Sequence, residues 1–244
     1  MSLFSLNVNN VQPGTHRFDR LVDLLLDEDP DFIALTECGP EAFEALTFEL
    51  EPVGALYAPA DYWGNGIISM SHSPKKWGSL DISIYAEHRS VVWGSFSLAD
   101  DKAIHIAALH LEVSDEAARM DQIRIIGEEL DFTSLILVGD FNALNRFDYD
   151  EKALNRLETR RSEGGRSPAR WDVIRSLLEE YEFIDAAHAH PFEPTTPYFS
   201  RVDYIFFGKD SKVLPHSGSY KVLNTIGMEI SDHNSLCVVF EVGS

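Results

Sequence analysis

The sequence predicts an α/β fold in which part of the sheet is antiparallel. Three observations carry that expectation. Apolar runs of strand length alternate with stretches of helical periodicity, and strand-like runs follow one another directly between residues 56 and 111. No internal repeat, low-complexity linker or composition shift divides the chain. Neighbouring strands without a crossover pair antiparallel, so the pattern speaks against a purely parallel doubly wound sheet. The 244 residues are read as one domain, 1–244, whose 44% hydrophobic content is enough for a sizeable core.

Residues 3–8 read as a first strand, closed by the polar pair Asn9 and Asn10. Phe18, Leu21, Val22, Leu25 and Leu26 then recur at helical spacing until Pro30 stops the helix. Residues 31–37 form a second buried strand ending in the carboxylate of Glu37, and a helix over 40–50 follows Cys38, Gly39 and Pro40. Strands are expected at 66–70, 80–85, 90–98 and 103–111, with Asp100 and Asp101 suited to a hairpin turn between the last two. Ser114 is the expected N-cap of a helix that carries Ala117, Met120, Ile123 and Leu130 on one face.

The apolar, branched run 135–138 reads as a buried strand. Gly139 relaxes the backbone, and Asp140 and Asn142 leave it two residues apart. If the extended geometry persists, both point to the same side of the sheet edge. Residues 144–168, charged and centred on Glu163, Gly164, Gly165 and Arg166, read as a loop of the kind that decides substrate choice. A helix over 171–181 and strands at 201–207, 219–223 and 234–242 close the chain.

Composition narrows the function. A formal net charge of -20 argues against a broad surface for sequence-independent DNA binding, which relies on Lys and Arg displacing counterions. The acidic runs at 27–29, 112–116 and 128–131 read as solvated helix faces. No apolar run is long enough to span a bilayer, and the first residues lack a basic segment followed by an apolar one. A cytoplasmic location follows as an expectation, with Cys38 and Cys237 as free thiols. The Cys/His spacing of a zinc site, a glycine-rich phosphate loop with its lysine and a Gly-x-Ser-x-Gly elbow are all missing from the sequence.

What remains is a set of polar residues at strand ends: Asn7, Glu37, His110, Asp140, Asn142, Asp203, Asp232 and His233. Each has an ordinary alternative. Asp140 and Asn142 suit an Asx turn, Asn7 and Asp232 a turn cap, His110 a hydrogen-bonded core histidine, Glu37 a surface ion pair, and Asp203 a partner for Arg201. Their recurrence on one strand end after another favours a site. Carboxylates gathered there repel one another unless a cation or protons sit among them. Oxygen ligands with amides and few histidines suit magnesium or manganese rather than zinc.

The order of these motifs resembles the endonuclease/exonuclease/phosphatase superfamily, the deoxyribonuclease I-like metal phosphoesterases. The resemblance rests on residues 5–8 (SLNV), 31–37 (DFIALTE), 105–110 (HIAALH), 139–142 (GDFN), 201–205 (RVDYI) and 231–233 (SDH), in family order over essentially the whole chain. It implies a four-layer α/β sandwich, two mixed and mostly antiparallel sheets face to face with helices outside. It further implies a Mg2+ or Mn2+ ion held by Glu37 with Asn7 beside it and Asp232 near it. His233 and Asp203 match the family's His-Asp pair, Asp140 the residue that activates the attacking water, and Asn142 and His110 the holders of phosphate oxygens. The implied activity is metal-dependent phosphoester hydrolysis, above all of a phosphodiester as in a nuclease. A nucleic-acid substrate would then meet a local site rather than a broad basic face.

Within the same resemblance a phosphomonoesterase, a phospholipid phosphodiesterase or a catalytically silent binding protein are the alternatives. The silent reading predicts a replaced site residue, and none is replaced. Arg119 and Gln122 read as structural. Arg89 can reach a phosphate or sit in a surface ion pair, and Tyr62 and Trp63 can stack on a base or cover the core.

Overall fold

The computed structural model describes every residue except 62, 99–101, 166, 167, 212, 243 and 244. The chain opens with a strand, a helix and a parallel strand: β1 (Ser2–Asn7), α1 (His16–Glu28) and β2 (Phe32–Cys38). Helix α2 (Pro40–Leu50) leads into β3 (Gly54–Ala58), β4 (Gly64–Ser69), β5 (Pro74–Asp81) and β6 (Ser90–Ser97). A second unit of the first kind follows, with β7 (Ala103–His110), α3 (Glu116–Glu129) and β8 (Leu135–Asp140), its strands again parallel. Then come α4 (Glu151–Glu163), α5 (Asp172–Glu179), β9 (Ile184–Asp185), β10 (Asp203–Phe207), β11 (Val213–Pro215), β12 (Lys221–Leu223) and β13 (Ser235–Val242).

Two mixed sheets result. The first has the order β11-β13-β1-β2-β4-β3, with β12 also on β13, and the second β5-β6-β7-β8-β10-β9. Outside the β1/β2 and β7/β8 pairs every ladder is antiparallel. One apolar core mixes both sheets: Leu3, Ala34 and Ile67 of the first pack with Val92, Ile106, Ile136 and Ile205 of the second. A second core lies between the outer face of the β7/β8 sheet and α3 and α5, and a third between the β1/β2 sheet and α1 and α2. The expected sandwich of helix, sheet, sheet and helix is therefore present, since strands buried on both faces need apolar cover on each side.

Several local expectations are corrected. Asp115, not Ser114, caps α3, its side chain accepting from Ala117 N, while Ser114 donates to Glu112. The strand read at 80–85 is β5, which lies earlier and ends at Asp81. The stretch read as a loop at 144–168 holds a 3-10 turn (Arg146–Asp148) and α4. Only Leu157 of α4 is buried, so no apolar period marks the helix. Its signals are the Asp150 cap, which accepts from Ala153 N, and the cations Arg160 and Arg161 in the last turn. The turn read at Asp100 and Asp101, the stacking considered for Tyr62 and the loop residue Arg166 lie outside the described residues.

Cys38 and Cys237 are unpaired, and burial pushes each thiol up to about 12, so both stay protonated at neutral pH. Among the described residues no helix is long and apolar enough to cross a membrane.

Candidate active site

Each parallel pair delivers two polar residues at its carboxyl end, the end of a sheet at which α/β proteins bind ligands. From β1 and β2 come Asn7 and Glu37; from β7 and β8 come His110 and Asp140. Asp140 is the register partner of His110 across the parallel ladder and of Asp203 across the antiparallel one. That close pairing depends on Gly139. Its φ is +134°, and a Cβ there would stand 2.1 Å from Leu109 O, so only glycine lets β8 approach β7 this closely.

Glu37 takes a left-handed backbone (φ 51°) where the β2/β4 register shifts between Leu35 and Cys38. That conformation is rare for a residue with a side chain, and it is held by Asn10 N donating to Glu37 O. Asn7 Nδ2 bridges two carboxylates, 3.0 Å from Glu37 Oε1 and 3.1 Å from Asp140 Oδ2. Its Oδ1 accepts from Asn9 N. For the oxygen to join a metal ion, the carboxamide would have to turn over.

His233 reaches the same centre from the loop before β13. Its Nδ1 is 2.8 Å from Asp203 Oδ2 and its Nε2 3.8 Å from Asp140 Oδ2. Ser231 fixes this loop by donating to Asn7 O and accepting from His233 N. Thr195 Oγ1 accepts from the backbone N–H of Val202 and of Asp203. Asn142 also adopts a left-handed backbone (φ 48°), and its N–H donates to Asp140 Oδ1 while its Nδ2 donates to Leu111 O. The Asx turn and the cluster are thus one geometry, because the turn holds the Asp140 carboxylate in place.

The structure brings Asn7, Glu37, His110, Asp140, Asp203 and His233 together, with Asn142 beside them. Ligand atoms of Glu37, His110 and Asp140 lie within 4.8 Å of one another, as do those of Asp140, Asp203 and His233. Asp232 belongs to neither group; its side chain is exposed, 3.5 Å from Ser231 Oγ. Arg201 is not the partner of Asp203. Its guanidinium forms a bidentate pair with Asp148 and a second pair with Asp185, over the face of Tyr204.

Sequence reasoning gave no role to Ser231, Thr195 or this arginine network. The small polar residues beside the matched motifs were the available signal. Arg89 pairs with Glu87 (3.1 Å) and lies 3.4 Å from Glu112, rather than facing the cluster unpaired. Gln122 joins Glu112 N to Ile82 O, and Arg119 holds Glu116 and the carbonyls of Glu112 and Val113.

The electrostatics follow from burial. Burial alone lowers the His233 pKa, but the charge and hydrogen bond of Asp203, then Asp140 and Asp232, outweigh it and raise the imidazole from 6.5 to about 10. Burial likewise raises Asp203, opposed by His233 and reinforced by Asp140. A raised histidine stabilises the fold fully below its ordinary 6.5 and loses that contribution as pH rises through about 10. In metal-free protein the His233 ring is therefore expected to carry both protons at mildly alkaline pH. Nitrogen-15 NMR of labelled histidine checks this, and a neutral His233 at pH about 8 would overturn it.

The donor set also fits a divalent cation. Carboxylates from both sheets converge on one point, and the bridging N–H of Asn7 answers only part of their charge. Two groups could hold such an ion, Glu37 with His110 and Asp140, or Asp140 with Asp203 and His233.

The family model described as "Endonuclease/Exonuclease/phosphatase family" matches residues 4–233. No curated protein matches the chain. A solved endonuclease/exonuclease/phosphatase from Bacteroides vulgatus superposes with a TM-score of 0.75 at 17% identity, covering 99% of this chain and 98% of that one. The mannosyl-6-phosphatase of Bacteroides thetaiotaomicron gives 0.70 at 14% identity, with 99% of each chain covered. TDP2 of D. rerio, solved with a single-strand DNA product, gives 0.71 at 17% identity, covering 99% of this chain and 98% of that one. At such identities the likeness speaks to the fold.

Proposed function

Because the chain belongs to the endonuclease/exonuclease/phosphatase family, we propose that it is a divalent-metal-dependent phosphoester hydrolase, acting on a phosphodiester by in-line attack of water on phosphorus. The observation that carries this reading is the convergence of Glu37, His110, Asp140, Asp203 and His233 at the meeting carboxyl ends of the two parallel pairs. A bound Mg2+ or Mn2+ would neutralise charge on the phosphate and the leaving oxygen.

The chain's own residues would do the rest. Asp140 is placed to orient a water and take its proton, with its other oxygen steadied by Asn142 N. His233, kept protonated by Asp203, and the imidazole of His110 are placed to donate to phosphate oxygens as charge develops on them. Asp203 orients His233 and compensates its charge. The many carboxylates would repel a phosphate without a cation, so metal dependence is intrinsic to the reading.

The test is hydrolysis of bis-p-nitrophenyl phosphate and p-nitrophenyl phosphate with magnesium, manganese or chelator. Cleavage of the diester that chelator abolishes and added metal restores is the expected result. Cleavage of the monoester alone would move the reading to a phosphatase. Silence on both, together with no metal-induced rise in Tm, would favour a binding protein.

A further inference from the structure

Helix α4 lies in a basic stretch of an acidic chain. Residues 146–175 hold eight of the 20 lysines and arginines but only six of the 40 acids, so they are net positive while the whole chain carries -20. One face of the helix gathers Lys152, Arg156 and Arg160 a turn apart, with Glu151 and Glu163 only at its two ends. Lys152 and Arg156 are exposed and make no ion pair among the described residues. The shallow hollow over this face is lined by α4 alone, so it has no second wall.

Two aromatic side chains stand at the C-terminal end of that face. Arg160 donates to Tyr198 O and lies over the Phe199 ring, 5.3 Å from its centroid. Tyr198 is 70% exposed and Phe199 63%. The turn that presents them is built rather than loose. Phe199 takes a left-handed backbone (φ 59°), Thr196 Oγ1 accepts from Tyr198 N, and Thr196 O accepts from Phe199 N. Thr195, at its root, accepts through its carbonyl from Asn234 N. A left-handed phenylalanine costs free energy, and folding does not bury this ring in return.

Cations in a row with tyrosine and phenylalanine beside them suit an anionic lipid surface. Guanidinium and ammonium groups meet the headgroup phosphates, and the rings settle at the headgroup level. A single nucleic-acid strand also offers phosphates and ring faces, but such strands are held in a groove that tracks their backbone. This face has no second wall to make one. We propose that the outer face of α4 and the turn at Tyr198 and Phe199 dock the protein on an anionic bilayer. The acidic remainder of the surface is repelled by the same bilayer, which turns α4 toward it. The docking is independent of the hydrolase reading.

The test is co-sedimentation of the whole protein with vesicles of phosphatidylcholine alone, or with about a third phosphatidylserine. The expected result is binding to the anionic vesicles only, weakened at about 0.5 M salt. Lys152→Gln and Arg156→Gln should each weaken it by about fivefold, the value of one cation near such a surface. Glutamine keeps the helix propensity of the residue it replaces. Tyr198→Ser combined with Phe199→Asn should weaken binding by about tenfold or more, the worth of one ring withdrawn from water. Asparagine is chosen because it tolerates the left-handed backbone. Lys76→Gln, an exposed site on β5, changes the net charge equally and should leave binding as it was. No binding, equal binding to neutral vesicles, or a loss in Lys76→Gln as large as in Arg156→Gln would overturn the proposal. Binding of a single-stranded oligonucleotide weakened by the same variants, with the vesicles left unbound, would overturn it in favour of nucleic acid.

Discussion

His233→Ala and Asp203→Asn should each lower kcat by about 10²–10⁴-fold, the range in which a positioned proton-transfer group or its orienting carboxylate acts. Asp203 is fully buried and its Oδ2 lies 2.8 Å from His233 Nδ1, so the amide replacement keeps the shape while removing the charge that keeps the ring protonated. The two residues act as one unit. The double variant is therefore expected to be no slower than the worse single one, and multiplied losses would show that they work separately. Metal titrations followed by Tm separate the two candidate ligand groups, which share Asp140. Glu37→Gln should abolish the metal-induced rise and His233→Ala should keep most of it. The opposite pattern would place the ion between Asp140, Asp203 and His233.

The largest effect on stability is expected from Arg201→Met, at about 3–5 kcal/mol, because it leaves two buried carboxylates without their cation. Arg201 pairs with Asp148 and Asp185 beneath the site and is 4% exposed. Burial pushes the Asp148 carboxyl up to about 6 even against the pull of Arg201. Without the arginine Asp148 should titrate higher still above its unfolded value. It then penalises folding at neutral pH, and that penalty is relieved as pH falls through its folded pKa. Urea melts of wild type and variant at neutral pH and at about pH 5 test this sign. A deficit that stays equal at both would show that lost packing on Tyr204, not charge, is responsible.

The parallel strands were legible because strands buried on both faces read as unbroken apolar runs, as Ile33, Ala34 and Leu35 do in β2 and Ile136, Leu137 and Val138 in β8. Helix α4 was not, because a helix with one buried side chain has no apolar stripe to read. The polar residues at strand ends could be found one by one, since a strand's end fixes where its last side chain emerges. Their supports could not. Ser231 reaches Asn7 across 224 residues of sequence, and the partners of Arg201 lie 53 and 16 residues away. Asn142 shows a different limit, for the turn reading and the site reading described the same hydrogen bond and never competed. Asp232 and His233 are neighbours in sequence, but only the histidine turns inward, a choice set by the Ser231 clamp rather than by composition.

Neither sheet owns the cluster. Asn7 and Glu37 belong to one, His110, Asp140 and Asp203 to the other, and His233 arrives on the loop that enters β13 of the first to meet a carboxylate of the second. The polar end of the interface is thus a seam of carboxylates stitched by the Asn7 carboxamide and the His233 imidazole, while the apolar remainder draws the two halves together. An ion seated there would act as a rivet between them, adding stability by mass action in proportion to its occupancy. Loss of the ion would loosen that end of the sandwich first, with the far end held by Phe32, Phe96, Phe207 and Phe240.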